Sequence, residues 1–378
     1  MRISCLQENL AKGLSIVGRA VAARSTLPVL GNVLLATDNG RLKLAATNLE
    51  IGINCWIGAK VEEDGAITLP ARTFIDLINA LPPGVIDMEL SIRTQTLHLR
   101  SGRFENNVKG IDAQEFPIIP HIEEDDAIQI APDVLKKMID QVAFAAASDE
   151  SRPILTGVLA RFSGDQLTFA AADGFRLSVR AATLLTPVSK PVEVIIPARA
   201  LAELGRISGE QKDAISILVT PQRSQVLFHL ASVDLVSQLI DGKFPDYNAI
   251  VPKRYETRAV MDTLSLLKAC RAAGVFAREN ANIARVMVAP GSELAPGHVT
   301  VQATSAETGD NAGEVDASVE GAPIEIAFNV KYMIDVLNVA GTPQVALETT
   351  SPASPGMIRP VGDDAFTHVI MPMHIGSR

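Results

Sequence analysis

Leu42-Lys43-Leu44-Ala45-Ala46-Thr47-Asn48 returns as Leu167-Thr168-Phe169-Ala170-Ala171-Ala172-Asp173, and a weaker third copy runs Val299-Thr300-Val301-Gln302-Ala303-Thr304-Ser305. The copies stand 125 and 132 positions apart. Each follows a glycine-containing turn and starts by alternating apolar and polar side chains, the period of two that a half-buried strand requires. Other markers keep step. Leu69-Pro70-Ala71-Arg72 and Ile196-Pro197-Ala198-Arg199 each open an amphipathic segment, and Phe328-Asn329-Val330 opens a third. Phe116-Pro117 and Phe244-Pro245 repeat at the same interval. A period this long is too large for a solenoid unit, and each copy can own a core. The sequence predicts three tandem domains, 1–120, 128–252 and 255–378. Proline-rich linkers at 116–120 and 244–252 separate them, since proline removes a backbone donor and stops a continuing element.

Within each third the order of elements is the same. An early helix is expected over roughly 7–21, 133–146 and 262–277, and a second over 71–81, 198–207 and 330–339. Strands outnumber helices and the connections look like hairpins. The fold class is therefore α+β, two helices packed on antiparallel sheets in each repeat.

The composition sets limits. Of 378 residues, 47% are hydrophobic and 20% charged, which suits ordinary cores and excludes a disordered chain. No apolar run is long enough for a membrane helix. The N-terminal Met-Arg-Ile-Ser-Cys lacks the apolar stretch of a signal peptide, so a cytoplasmic location is expected. Cys5, Cys55 and Cys270 are scattered and odd in number, as packed thiols in a reducing compartment would be. The six histidines are dispersed, with no zinc spacing, and neither a Walker loop nor a G-x-G-x-x-G occurs. The acidic run Glu123-Glu124-Asp125-Asp126 lies at an expected domain junction and reads as a solvated linker rather than a metal site. No enzyme activity, cofactor or metal is expected.

The helices carry the positive charge. Leu135, Met138, Ile139 and Val142 form one stripe, with Lys136 and Lys137 off it. Leu10, Leu14, Val17 and Val21 do the same, with Lys12 and Arg19 on another face. In the third repeat Leu264, Leu267 and Val275 are expected inward, with Lys268 and Arg271 elsewhere. Arg72, Arg199, Arg206 and Lys331 belong to the second helices. Net charge is −9, so this repeated basic bias points to a surface that faces a polyanion through phosphates, blind to sequence. A hydrolase with a site between domains and a scaffold repeat protein remain as other classes.

Phe244-Pro245-Asp246-Tyr247-Asn248-Ala249-Ile250-Val251-Pro252 resembles the linker motif of the bacterial DNA polymerase III beta subunit family, the sliding clamps. Leu27-Pro28-Val29-Leu30-Gly31-Asn32, Ala172-Asp173-Gly174-Phe175-Arg176-Leu177 and Val369-Ile370-Met371-Pro372-Met373 are similar to that family too, in the right order along the whole chain. The resemblance implies a head-to-tail homodimeric ring of six domains that encircles duplex DNA and acts as a processivity factor. Twelve helices at ~10 Å spacing leave a hole roughly 28 Å wide, against roughly 20 Å for a duplex.

The same resemblance carries over residue roles. It implies DNA contacts at Lys12, Arg19, Arg24, Lys136, Lys137, Arg199 and Arg206, beside the helix residue Arg72. A pocket for short linear peptides would be formed by Leu155, Gly174, Phe175, Arg176, Leu177, Pro245, Ile250, Asn329, Tyr332, Ser354, Val369, Ile370, Met371, Pro372 and Met373. Its implied partners are the polymerase catalytic subunit, the clamp loader, other polymerases and mismatch-repair proteins. Flexible methionines suit many such peptides, and Arg176 is expected to fix the peptide backbone. Copy contacts are implied at Arg103, Asn106 and Val108 on one side and Val275 and Phe276 on the other. The chain departs from the family pattern at Phe175, where histidine is frequent, at Ala172 and Ala249, and at Asn106, where the family usually has a bulky apolar residue. His374-Ile375-Gly376-Ser377-Arg378 runs past the usual end.

Overall fold

A computed structural model describes residues 1–22, 24–121, 127–293 and 295–374. The acidic run 123–126 and the last four residues, 375–378, lie outside them.

The first third of the chain contains β1 (Arg2–Leu6), α1 (Gln7–Val17), β2 (Asn32–Asp38), β3 (Arg41–Thr47), β4 (Ile51–Gly58), β5 (Lys60–Glu63), β6 (Ala66–Pro70), α2 (Ala71–Ala80), β7 (Val85–Ser91), β8 (Thr96–Ser101) and β9 (Phe104–Lys109). The middle contains β10 (Ile128–Ile130), α3 (Pro132–Val142), β11 (Gly157–Ala172), β12 (Arg176–Pro197), α4 (Ala198–Ile207), β13 (Ile215–Val219), β14 (Gln225–Leu230) and β15 (Val233–Gln238). The last third contains β16 (Thr257–Asp262), α5 (Thr263–Ala277), β17 (Ile283–Ala289), β18 (Gly297–Ser305), β19 (Gly309–Gly321), β20 (Ile324–Asn329), α6 (Val330–Val339), β21 (Gln344–Thr349), β22 (Gly356–Pro360) and β23 (Phe366–Ile370). The repeat deduced from β3 is thus a repeat of structure, and every named strand pairing is antiparallel. α1 and α3 stop four residues short of the expected ends and finish in 3₁₀ turns, 18–20 and 143–145.

Two compact units emerge: Met1–Asp133 with Glu203–Leu239, and Val134–Ala202 with the chain from Ile240 onward. The first holds a five-stranded sheet, β5-β1-β7-β8-β9, and an eight-stranded one, β10-β13-β14-β15-β4-β3-β2-β6. The second holds a ten-stranded sheet, β11-β12-β23-β22-β21-β16-β19-β18-β17-β20. The middle repeat is shared. Its β15 pairs with β4, Leu235 opposite Ile53, inside the first unit. Its β12 pairs with β23, Ser178 opposite His368, inside the second. Such cross-repeat ladders bury strand edges that would otherwise invite aggregation.

Cores lie where helix stripes meet sheets. α1 packs on α2, and Leu10, Leu14, Val17, Phe74 and Ile78 are fully buried. In α5 the expected phase holds for Leu267, which is buried, and fails for Leu264 and Val275, which are 64% and 58% exposed, while Leu266, Cys270, Ala273 and Ala277 point into the core. Beyond Leu266 and Leu267 the stripe is alanines and a cysteine because β18 and β19 press close to that helix, and larger residues would hold them apart. Asp262 and Asn329 cap α5 and α6, accepting from the amides of Ser265 (2.7 Å) and Lys331 (3.0 Å). The expected linkers are anchored by their aromatic residues, for Phe116, Phe244 and Tyr247 are buried. Next to the first linker, His121 and His229 each place Nδ1 2.5 Å from the buried Asp234 carboxylate. The three cysteines are buried and unpaired, and burial pushes the Cys5 and Cys270 thiols up to about 12.

Candidate functional site

The second unit carries a groove of about 860 Å³. One wall is the segment after Tyr247, where Asp246 caps a short 3₁₀ turn by accepting from the Asn248 amide at 3.1 Å. That turn presents Ile250, 39% exposed, before Val251, Pro252, Lys253 and Arg254. The other wall is Thr350, Ser354 and Pro355, where the Ser351 and Ser354 hydroxyls are 2.7 Å apart. Met371 also lines the groove. β23 stops at Ile370, so Met371 is an exposed thioether beyond the ladder and not a buried strand residue. Its amide still donates to the Phe175 carbonyl (2.8 Å), and the Met373 amide donates to Ala327 O (2.8 Å).

Beside that segment, residues 173–176 form a tight turn. Asp173 Oδ1 accepts from the amides of Phe175 (2.9 Å) and Arg176 (3.0 Å). Gly174 takes φ +93° with Arg152 Nη1 2.9 Å from where a Cβ would sit, so only glycine fits without strain. Phe175 projects with 55% of its surface exposed. Arg176 is a strut held by its own chain. Its Nε donates to Asp173 (3.0 Å), Nη1 to Asp335 (2.6 Å) and Nη2 to Phe144 O (2.8 Å), while the guanidinium stacks 4.4 Å from the Tyr332 ring centre. Burial, with Asp173 next, raises the Tyr332 hydroxyl above its ordinary value.

The expected pocket residues therefore divide. Ile250, Ser354 and Met371 line the groove. Gly174, Phe175, Pro245, Pro372 and Met373 are exposed or half-buried. Leu155 is half-buried against the core that holds Leu159 and Tyr247, Asn329 is spent on its cap, and Tyr332 supports Arg176. Leu177, Val369 and Ile370 are 1–2% exposed and belong to the core, because inward positions of paired strands face helices or the opposing layer. Sequence reasoning missed Arg254, Thr350 and Pro355. For Arg254 the signal was Pro252, two residues beyond the expected Ile250 and read only as the end of a linker.

The basic residues also divide. Arg24, Arg72 and Arg199 are exposed and have no ion pair among the described residues. Arg19 and Arg206 share Glu203, at 3.3 and 2.5 Å. Lys136 pairs with Asp140 (2.6 Å), and Lys137 with Asp363 (2.8 Å). Burial pushes Asp363 up, but Lys137 and Arg180 outweigh it and hold the carboxyl below its ordinary value. Lys12 lies on α1 near Cys55.

Among the expected copy-contact residues, Arg103, Asn106 and Val108 are in or beside β9, the open edge of the five-stranded sheet, where Phe104 is 54% exposed. Val275 is exposed and Phe276 half-buried at the end of α5. No cluster of three metal-ligating side chains occurs among the described residues, and no helix among them is long and apolar enough to cross a membrane.

Comparison with known proteins gives one answer along the chain. Residues 1–120, 129–246 and 248–374 match the N-terminal, central and C-terminal domains of the DNA polymerase III beta subunit. The chain is 33% identical to the beta sliding clamp of Synechococcus elongatus over 385 aligned positions, covering all of both proteins. It is 34% identical to that of Staphylococcus aureus, over 94% of each. The crystal structure of the Bacillus subtilis DNA polymerase sliding clamp superposes with a TM-score of 0.92 at 30% identity, over 99% of both chains.

Proposed function

Because the chain belongs to the DNA polymerase III beta subunit family and is a sliding clamp, a processivity factor of that polymerase, we propose that two copies join head to tail into a closed ring around duplex DNA. One observation carries this reading. In the repeats, β4, β12 and the first half of β19 follow corresponding hairpins, while β9, β15 and β23 are the corresponding last strands. Two of the three cross-repeat ladders exist, β4 with β15 and β12 with β23. The remaining members, β9 and the stretch 309–316 of β19, stand at opposite ends of the chain, each with one side unpaired. A second copy supplies what each lacks, and repeating a single contact twice closes the assembly.

The three domains act as six around the hole, and Arg24, Arg72 and Arg199 meet phosphates first, because their charges are not committed to neighbouring acids. Lys12, Lys136, Lys137, Arg19 and Arg206 contribute long-range field. The groove of Ile250 and Met371 takes apolar side chains of short linear peptides from the polymerase catalytic subunit, the clamp loader, other polymerases and mismatch-repair proteins. Its rim cations, Lys253 and Arg254, suit an acidic flank. The chain performs no catalysis in this reading; it tethers.

Retention tests the topology. Protein assembled on nicked circular DNA should stay bound through gel filtration in high salt and fall off when a restriction enzyme linearises the circle. Equal retention on both forms, or nanomolar affinity for linear duplex at physiological salt, would contradict it.

A further inference from the structure

The two built ladders fix a register, and that register carries over to the strands left open. Ile53 pairs in its hairpin with Ala46, Ser178 with Ala171 and Asn311 with Ala303, which are the same position of the three repeats. Across the built ladders Ile53 faces Leu235 and Ser178 faces His368. Counted from the β8–β9 and β14–β15 hairpins, the position of Leu235 in the first repeat is Asn106.

We infer that Asn106 of one copy lies opposite Asn311 of the next and that their amides form a buried hydrogen bond across the copy contact, an inference that rests on the head-to-tail reading above. A second observation points the same way independently. Among the described residues, Asn106 Nδ2 and Asn311 Oδ1 are buried without a hydrogen-bond partner. One is a donor and the other an acceptor. The other orphaned atoms, on Asn54, Arg180 and His368, lie within the two ladders already built; only these two lie on strands still open. Buried amides left unpaired are costly, so a partner is the expected state.

The flanking pairs fit in shape. The same register sets Phe104 opposite Gly313 and Val108 opposite Gly309 on one face, bulk against glycine. Phe104 is the exposed aromatic ring of β9. Gly313 lies over Ala269, and a Cβ on Gly309 would be 3.9 Å from the Phe276 ring. Glu105 and Ala312 face each other on the outer surface, and both are exposed. A donor–acceptor amide pair on a face otherwise lined by Phe104, Val108 and two glycines selects one register, since a slip by two residues would set an amide against glycine and strand it.

Two experiments on the full-length protein test this. Sedimentation equilibrium of Asn106→Leu or Asn311→Leu should show the dimer dissociation constant rising on the order of 10- to 100-fold, because one amide stays buried and unpaired. The double variant should return to within about threefold of the parent, since two apolar side chains of similar volume replace the pair. Single variants that dimerise as tightly as the parent, or effects that simply add, overturn the pairing. In the second, Glu105→Cys with Ala312→Cys should give a disulfide-linked dimer on mild oxidation, while Glu105→Cys with Asp310→Cys, a diagonal pair too far apart for a direct S–S bond, should not; the native cysteines are buried. The reverse pattern also overturns it. A parent that stays monomeric throughout removes the head-to-tail reading itself, whereas a dimeric parent without coupling removes only this register.

Discussion

Arg176 and His368 are polar groups whose work is internal. Three donors of Arg176 are held by Asp173, Asp335 and Phe144 O, with its side chain 11% exposed. Replacing it with alanine strands two carboxylates, and the expected cost is about 3 kcal/mol. Arg176→Ala should lower the urea midpoint of the second unit and weaken peptide binding through the collapsed 173–176 turn. His368 is fully buried, accepts or donates at Nδ1 to the Ser178 hydroxyl (2.6 Å) and stacks on Phe144. Burial, with Arg176 next, lowers it from 6.5 to about 3. Above pH 6.5 folded and unfolded chains both carry a neutral ring. As pH falls from there toward 3, the unfolded chain takes a proton that the folded one does not, so this residue costs stability by about 1.4 kcal/mol per pH unit. Urea midpoints by circular dichroism should therefore fall less steeply between pH 6 and 5 in His368→Asn than in the parent. An identical slope would mean the ring is not the proton acceptor.

Elements show what the sequence could and could not tell. The repeat at Leu42, Leu167 and Val299 located the hairpins, and periodicity placed all six α-helices of the described residues, because strand and helix periods are local properties. The phase of α5 was legible only in part because, beyond Leu266 and Leu267, its buried stripe consists of Ala269, Cys270, Ala273 and Ala277, residues whose hydrophobicity is weak beside Leu264. The groove was legible in part: Ile250 and Met371 came from the motif, whereas Thr350 and Pro355 enter through the β21–β22 connection, a long-range proximity no local pattern reveals. That Leu177 and Val369 are core follows from the β12–β23 ladder, which is equally non-local. At this scale Met371→Asp or Ile250→Asp should weaken binding of a polymerase-derived peptide at least tenfold by fluorescence anisotropy, with the melting temperature within about 2 °C of the parent because both sites are exposed. Neutralising Arg24, Arg72 and Arg199 to glutamine should flatten the salt dependence of DNA binding more per charge removed than neutralising the paired Lys136 and Lys137, since fewer counterions are released. Equal slopes for the two sets would place the phosphate contacts elsewhere.

For the molecule as a whole, a net charge of −9 and a basic helix bias are reconciled if DNA is held by enclosure and the grip is weak. Function then depends on closure, and closure on two open strand edges finding each other in a second copy. Sedimentation equilibrium of the parent protein at micromolar concentration measures this directly. The expected mass is twice the 40.2 kDa of the chain, independent of added DNA. A single species at 40.2 kDa across that range, or open polymers that grow with concentration, would contradict the ring.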